Sequence, residues 1–226
     1  MAHLEMFPCM DEIKEEVQKI HQVRIGDASA SIARSVAASD EVDKLFNVAI
    51  TFNRNACALF QSMSAFFSRD NVALPGVSLF FKVISQVETN DSLLIMDFMA
   101  KRGAKVEFGP TAAPPSGWMT HKEGSDVVVA FAKTLAVFKV QYKKLNDHYL
   151  LAQKSGDAHA QSFIGSCMNA VIDWWSEKIR VVSHHLTHLK LVESDKHAIK
   201  EFDRRLPFEL EDYAMAAAVE SIIPSR

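Results

Sequence analysis

The chain has 226 residues and a mass of 25.2 kDa, is 48% hydrophobic and carries a net charge of −3. That length and apolar content suffice for one buried core with tails, and the weak negative charge excludes the basic field that would draw nucleic acid or an anionic membrane. Cys9, Cys57 and Cys167 lie far apart with no C-x-x-C pair, which excludes the usual zinc and dithiol patterns and fits a reducing compartment.

Residues Met1 to Met10 carry Glu5 and Pro8 and lack the cationic start and apolar run of a secretory signal. No apolar stretch is long enough to span a bilayer. The expectation is a cytoplasmic protein that does not enter a membrane. From Asp11 to His21, Ile13, Val17 and Ile20 recur at helical spacing among charged residues, giving a short amphipathic helix that packs on some other surface. Gly26 to Ser39, rich in Ala and Ser, is compatible with helix or linker.

Asp40 reads as an N-cap, followed by an acidic first turn. Leu45, Phe46, Ala49, Ile50, Phe52, Ala56, Leu59, Phe60, Met63 and Phe67 then make a wide apolar stripe to about Phe67. Arg69-Asp70-Asn71 is a turn. Pro75-Gly76 opens a second helix that ends near Lys101-Arg102-Gly103, where basic residues and a glycine suit a C-terminus. Periodicity vanishes from Ala104 to Glu123, where Pro110, Pro114, Pro115 and Gly117 stand. A structureless link of about twenty residues has a topological reason in a compact domain: in a four-helix bundle with one crossover, helices two and three run parallel. A third helix spans about Ser125 to Gln153 and, after Ser155-Gly156-Asp157, a fourth spans about Ala158 to Leu189. A polar link, a break at Pro207 and a last helix from Glu209 to Ile223 complete the chain.

Ser62 to Leu74 closely resembles the end of the first helix and the following turn of animal ferritins, and the comparison runs without gaps to Lys101-Arg102-Gly103. Trp118, Asp157-Ala158-His159, Phe163-Ile164 and Leu186 onward resemble later parts of that family. The resemblance covers Asp40 to Leu191. It implies an all-α, ferritin-like four-helix bundle (40–191) with one long crossover, an N-terminal extension (1–39) and a C-terminal helical extension (192–226). It further implies a symmetric homo-oligomer, most simply the 24-subunit shell, with co-assembly alongside an active ferritin chain as a further partner state.

The resemblance also locates the metal centre. A di-iron bundle needs carboxylates and imidazole projecting inward from several helices. Carried over by residue, the family's first-helix glutamate falls at Asn53, the tyrosine at Phe60, the second-helix glutamate at Glu88 and the histidine at Asp91. The third-helix glutamate falls at Phe138 and the fourth-helix glutamine at Ile172. Glu88 and Asp91 are therefore a vestigial metal pair, or a buried polar remnant satisfied by Asn53 or water. Phe60, Phe138 and Ile172 would fill the site as dry core, worth roughly 1.5 to 3 kcal/mol per buried side chain. The family's mineral-nucleating patch falls at Val87, Asn90 and Leu93, and its channel ring at Ser162 and Gly165, all uncharged.

The expectation is a non-enzymatic shell subunit with a structural, protective or chaperone-like role, similar in kind to the artemins, and no resident cofactor. Iron storage, with iron bound passively as in light-type chains, is the alternative. In His184-His185-Leu186-Thr187-His188, the i,i+4 pair lacks the glutamate of a zinc hydrolase and reads as solvated histidines at a helix C-terminus. The tail from Val192 is expected to point into the shell.

Overall fold

The structure, a computed structural model, describes residues 10–24, 31–34, 37–114, 125–169 and 172–211. It comprises α1 (Met10–Gln22), α2 (Asp40–Phe67), α3 (Pro75–Lys101), α4 (Asp126–Lys154), α5 (Ala158–Asn169), α6 (Ile172–Val192) and α7 (Lys196–Glu211). Among the described residues there is no strand, and no helix is long and apolar enough to cross a membrane. The all-α bundle and its four long helical stretches are as expected, with the fourth present as α5 and α6. Cys9, Trp118 and the side chains of Cys167, Ile172, Trp174 and Trp175 lie outside the described residues.

Local chemistry sets the helix ends. Ser39 caps α2, its Oγ accepting from the Val42 amide at 3.5 Å, so the cap lies one residue before the expected Asp40. Asp40 is instead the first helical residue and pairs with Arg34 at 2.6 Å. At the start of α3, Leu74 has no side chain that could accept a hydrogen bond. Asp203 of α7 supplies the acceptor, with its Oδ1 2.8 Å from the Val77 amide. Gly76 is needed there, because a Cβ would lie 1.9 Å from the Asp203 carbonyl oxygen. α3 stops at Gly103, whose φ of 71° lets the Ala104 and Gly103 amides return to Met99 and Ala100 at 2.9 and 3.1 Å.

The crossover follows α2. Asn47 bridges the Lys105 carbonyl and the Glu107 amide at 3.1 and 2.8 Å. Thr51 accepts from Gly109 at 3.1 Å, and Asn55 from Ala112 at 2.8 Å. These three side chains stand one helical turn apart, and the link advances in the same direction as α2. The chain therefore returns to the end of the bundle where α3 began, and α4 runs parallel to α3. Phe80 and Phe131, near the starts of those two helices, stack at 5.0 Å.

Two hydrophobic cores lie along the bundle. The larger joins Phe60, Phe67, Phe80, Phe81, Phe131 and Phe138 with residues of α6 and α7. The smaller joins Phe46, Ile50, Phe98, Met99 and Ile164. Beyond the smaller core an ion network closes that end. Arg102, with no exposed side-chain surface, is bonded to Asp157 Oδ2 and lies 3.3 Å from Asp43. Asp157 also accepts from the Ser39 and Ala160 amides at 3.0 and 2.9 Å. Burial alone would raise the Asp157 pKa; these amides and Arg102 together hold it below the usual carboxylate range.

The C-terminal region departs from expectation. The supposed polar link is α7, and Pro207 lies inside it; the expected helix from Glu209 to Ile223 falls beyond residue 211 almost entirely outside the described residues. Phe202 and Leu206 anchor α7 in the larger core, which explains how tertiary packing holds a helix through a proline. His185 is likewise in the core rather than solvated, ringed by Phe80, Phe131 and Phe202 at 6.1, 5.8 and 5.5 Å; its neighbours His184 and His188 are exposed. In α1, Val17 and Ile20 are exposed. Residues 31–34 and 37–39 are not helical.

Two outcomes follow for stability. Arg102→Met leaves Asp157 and Asp43 buried without their cation and should cost about 3 to 5 kcal/mol, whereas Arg34→Met, at a partly exposed pair, should cost under about 1 kcal/mol; equal thermal midpoints for the two variants would contradict the network's role. Burial, aided by the His184 and His188 charges, lowers the His185 pKa from 6.5 to about 4. The folded state thus holds a neutral imidazole that the unfolded chain protonates below 6.5. Its stabilisation is full above that pH and declines by about 1.4 kcal/mol per unit down to pH 4. The stability difference between the natural protein and His185→Phe, followed by thermal denaturation, should shift toward the variant across that window.

Candidate metal centre

Between the two cores a layer of polar side chains crosses the bundle. Asn53 of α2, Glu88 of α3, Gln141 of α4 and Lys178 of α6 are all buried, Glu88 completely. Gln141 Nε2 donates to Glu88 Oε2 and, at 3.4 Å, to Asn53 Oδ1. Lys178 places its Nζ 5.5 Å over the Phe138 ring, and its charge acts on both Glu88 and Asp91. Burial pushes the Glu88 pKa up to about 8, with the nearby Asp91 adding to the rise and Lys178 and Gln141 opposing it. Burial also raises Asp91, again against Lys178.

The expected pair does share this layer, since positions i and i+3 lie on one helix face. What surrounds the pair is a set of donors, an amide and an ammonium, where a metal centre needs further acceptors. Among the described residues no group of three or more His, Cys, Asp or Glu is placed to hold an ion. A hard cation at Glu88 would compete with Gln141 for the same oxygen and lie in the field of Lys178. At neutral pH a carboxyl titrating near 8 is mainly protonated, and a protonated carboxyl is a poor ligand.

The flanking positions are packed. Phe60 and Phe138 have no exposed surface and meet edge to face at 6.1 Å. Val87 is buried, while Asn90, Leu93 and Ser162 are exposed and uncharged. The Cys57 thiol is half-buried, 3.3 Å from the Thr89 hydroxyl.

Gln141, Lys178 and His148 were not singled out from the sequence as site residues. Their signal was available in helical spacing: Thr134, Phe138, Gln141, Leu145 and His148 follow one inward stripe of α4, and Lys178, Val182, His185 and Leu189 follow one of α6. Beside the layer is a cavity of about 130 Å³ whose lining includes Asn53, Asp91, Gln141, Lys144 and His148.

Residues 43–192 match the family described as a ferritin-like domain. The chain is 29% identical over 204 residues to a chloroplastic ferritin-3 of Glycine max, covering 90% of this chain and 76% of that relative. Against a chloroplastic ferritin-2 of Zea mays it is 30% identical over 201 residues, covering 89% and 76%. A chloroplastic ferritin-3 of Vigna unguiculata is 31% identical over 168 residues, which span 74% of this chain and 64% of that relative. The solved structure of a ferritin from the green alga Ulva pertusa is similar in fold, with a TM-score of 0.76 and 24% identity, covering 88% of this chain and 98% of the other.

These relatives are named chloroplastic, which overturns the cytoplasmic expectation. The physical reason is that a missing cationic start and apolar run argues against a secretory signal only; plastid-targeting segments are amphipathic and carry no such run.

Gln141→Leu removes the one hydrogen bond shown to Glu88's side chain and should lower stability by about 1 to 3 kcal/mol. The double variant Glu88→Leu, Gln141→Leu should recover most of that loss, because no buried carboxyl is then left without its donor. Thermal midpoints of the four proteins in this cycle check it, and a fully additive cycle would refute the pairing.

Proposed function

The chain belongs to the ferritin family, and from that premise we propose that it is a shell subunit with no iron-oxidising centre of its own. The observation that supports this most is the Glu88 carboxyl, whose hydrogen-bond donor is Gln141 and whose neighbouring charge is Lys178. In an oxidising centre, cations would neutralise several carboxylates. Here an amide and an ammonium from within the chain take that part, and Phe60 and Phe138 occupy the volume a bridged pair of ions would need.

In this reading iron is cargo held by the assembly rather than a cofactor of the subunit, and Glu88 and Asp91 are the remainder of a metal pair. The shell is a symmetric homo-oligomer of 24 subunits. It either serves a structural or protective role or shares a mixed shell with an oxidising ferritin chain. The ferritin names of its relatives favour the storage role, and their chloroplastic names favour the plastid as its compartment.

Ferrous iron added aerobically to the purified homopolymer should oxidise no faster than in protein-free buffer, followed by ultraviolet absorbance, while sedimentation shows a large closed assembly. A rapid stoichiometric oxidation phase would overturn the reading of the centre. A small oligomer would overturn the shell.

A further inference from the structure

The fold divides the motif His184-His185-Leu186-Thr187-His188. His185 turns into the larger core among Phe80, Phe131 and Phe202, while His184 and His188 are both exposed on α6. Residues at i and i+4 stand about 6 Å apart along a helix axis and share one face, so two imidazoles flank one patch of solvent. Both act electrostatically on His185, which places them around a common neighbour.

The surroundings suit a cation held by those two rings alone. His188 lies edge-on to Phe202 of α7, with ring centres 6.1 Å apart and planes at 85°, and a ring already braced loses less freedom on binding. One turn before His184, Arg180 donates from Nε to Glu177 Oε2 at 2.7 Å and from Nη2 to Oε1. That cation is offset by an anion, and Glu177 has both oxygens engaged. Lys190, two positions past His188, projects from a different face of the helix. The position that carries the glutamate of a hydrolytic zinc helix is the buried His185, so the pair is equipped for binding and not for hydrolysis. Imidazole suits copper, nickel and zinc, and the affinity of such a site rises from Fe²⁺ through Ni²⁺ to Cu²⁺ and falls again at Zn²⁺. Two nitrogens without a carboxylate therefore favour Cu²⁺ over iron, and water fills the remaining positions.

We infer that His184 and His188 chelate one late first-row divalent ion, Cu²⁺ above the others, at an exchangeable site on the surface of α6. The site is separate from any question of iron oxidation, and its occupancy is read without iron. Calorimetric titration of the iron-free intact assembly with Cu²⁺ in glycine buffer counts the saturable sites per subunit. The natural protein should have one more site than His184→Ala and one more than His188→Ala, and the double variant should lose nothing further, because a chelate is lost whole when either ligand goes. The electron paramagnetic resonance signal lost with the site should show coupling to two nitrogens. His197→Ala, at an exposed histidine of α7, should leave the count unchanged, and sedimentation should show the same assembly throughout. Equal counts in the natural protein and the double variant would overturn the inference, and so would a double variant that loses two sites, which would mean that each histidine binds alone.

Discussion

A buried polar group must find its partner inside the protein, and this bundle is arranged around three such groups. Arg102 is the most demanding: it has no exposed surface, and desolvation would make an unpaired guanidinium there untenable. Asp157 and Asp43 meet it, and Asp157 in turn binds the amides that open α2 and α5. One guanidinium thus connects the end of α3, the start of α2 and the turn between α4 and α5. At the opposite end Asp203 does comparable work, capping α3 from a helix more than a hundred residues away.

The third group is Glu88, and the same constraint gives the centre its chemical character. A carboxyl sealed between two hydrophobic cores can be stabilised by cations, by hydrogen bonds or by a proton. Metal-binding bundles use the first. This chain supplies Gln141 and the field of Lys178, and its raised pKa favours the proton as well. Each of these acts against recruiting an ion, because each satisfies the oxygen that an ion would need or adds positive charge beside it. The proposed loss of oxidation chemistry is therefore a property of the replacement partners as much as of the missing ligands.

Much of the fold was legible because it is written in local signals. The limits of α3 and α4 follow from Pro75, Gly103, Ser125 and Gly156, and the crossover follows from the prolines between Ala104 and Glu123; at α2 the acidic start reads as a cap at Asp40, where Ser39 supplies it. Features set by tertiary contact were not legible. Pro207 reads as a break, yet Phe202 and Leu206 bury α7 firmly enough to carry it through. Gln141, His148, Lys178 and His185 are polar residues on inward stripes, where apolar patterning steers the eye to their neighbours Tyr142, Tyr149, Ile179 and Leu186. Matching positions to a family's ligands asks what stands at each ligand site. Gln141 stands one turn from Phe138, at a position that matches none of those ligands, and reaches Glu88 from there.

The cavity follows from the same set of replacements. By resemblance, Asn53 stands where the family has glutamate and Asp91 where it has histidine, so both positions carry shorter side chains. Phe60 and Phe138 fill their side of the layer with interlocked rings, but they sit toward the larger core. On the side of Asp91 and Asn53 no residue has grown to match, and a close-packed bundle cannot relax fully around missing volume. The gap persists where the polar layer meets the rings of Phe46, Phe52 and Phe163. Phenylalanine on one side of the proposed remnant centre and shorter side chains on the other leave an apolar space whose wall also carries Asn53, Asp91, Lys144 and His148.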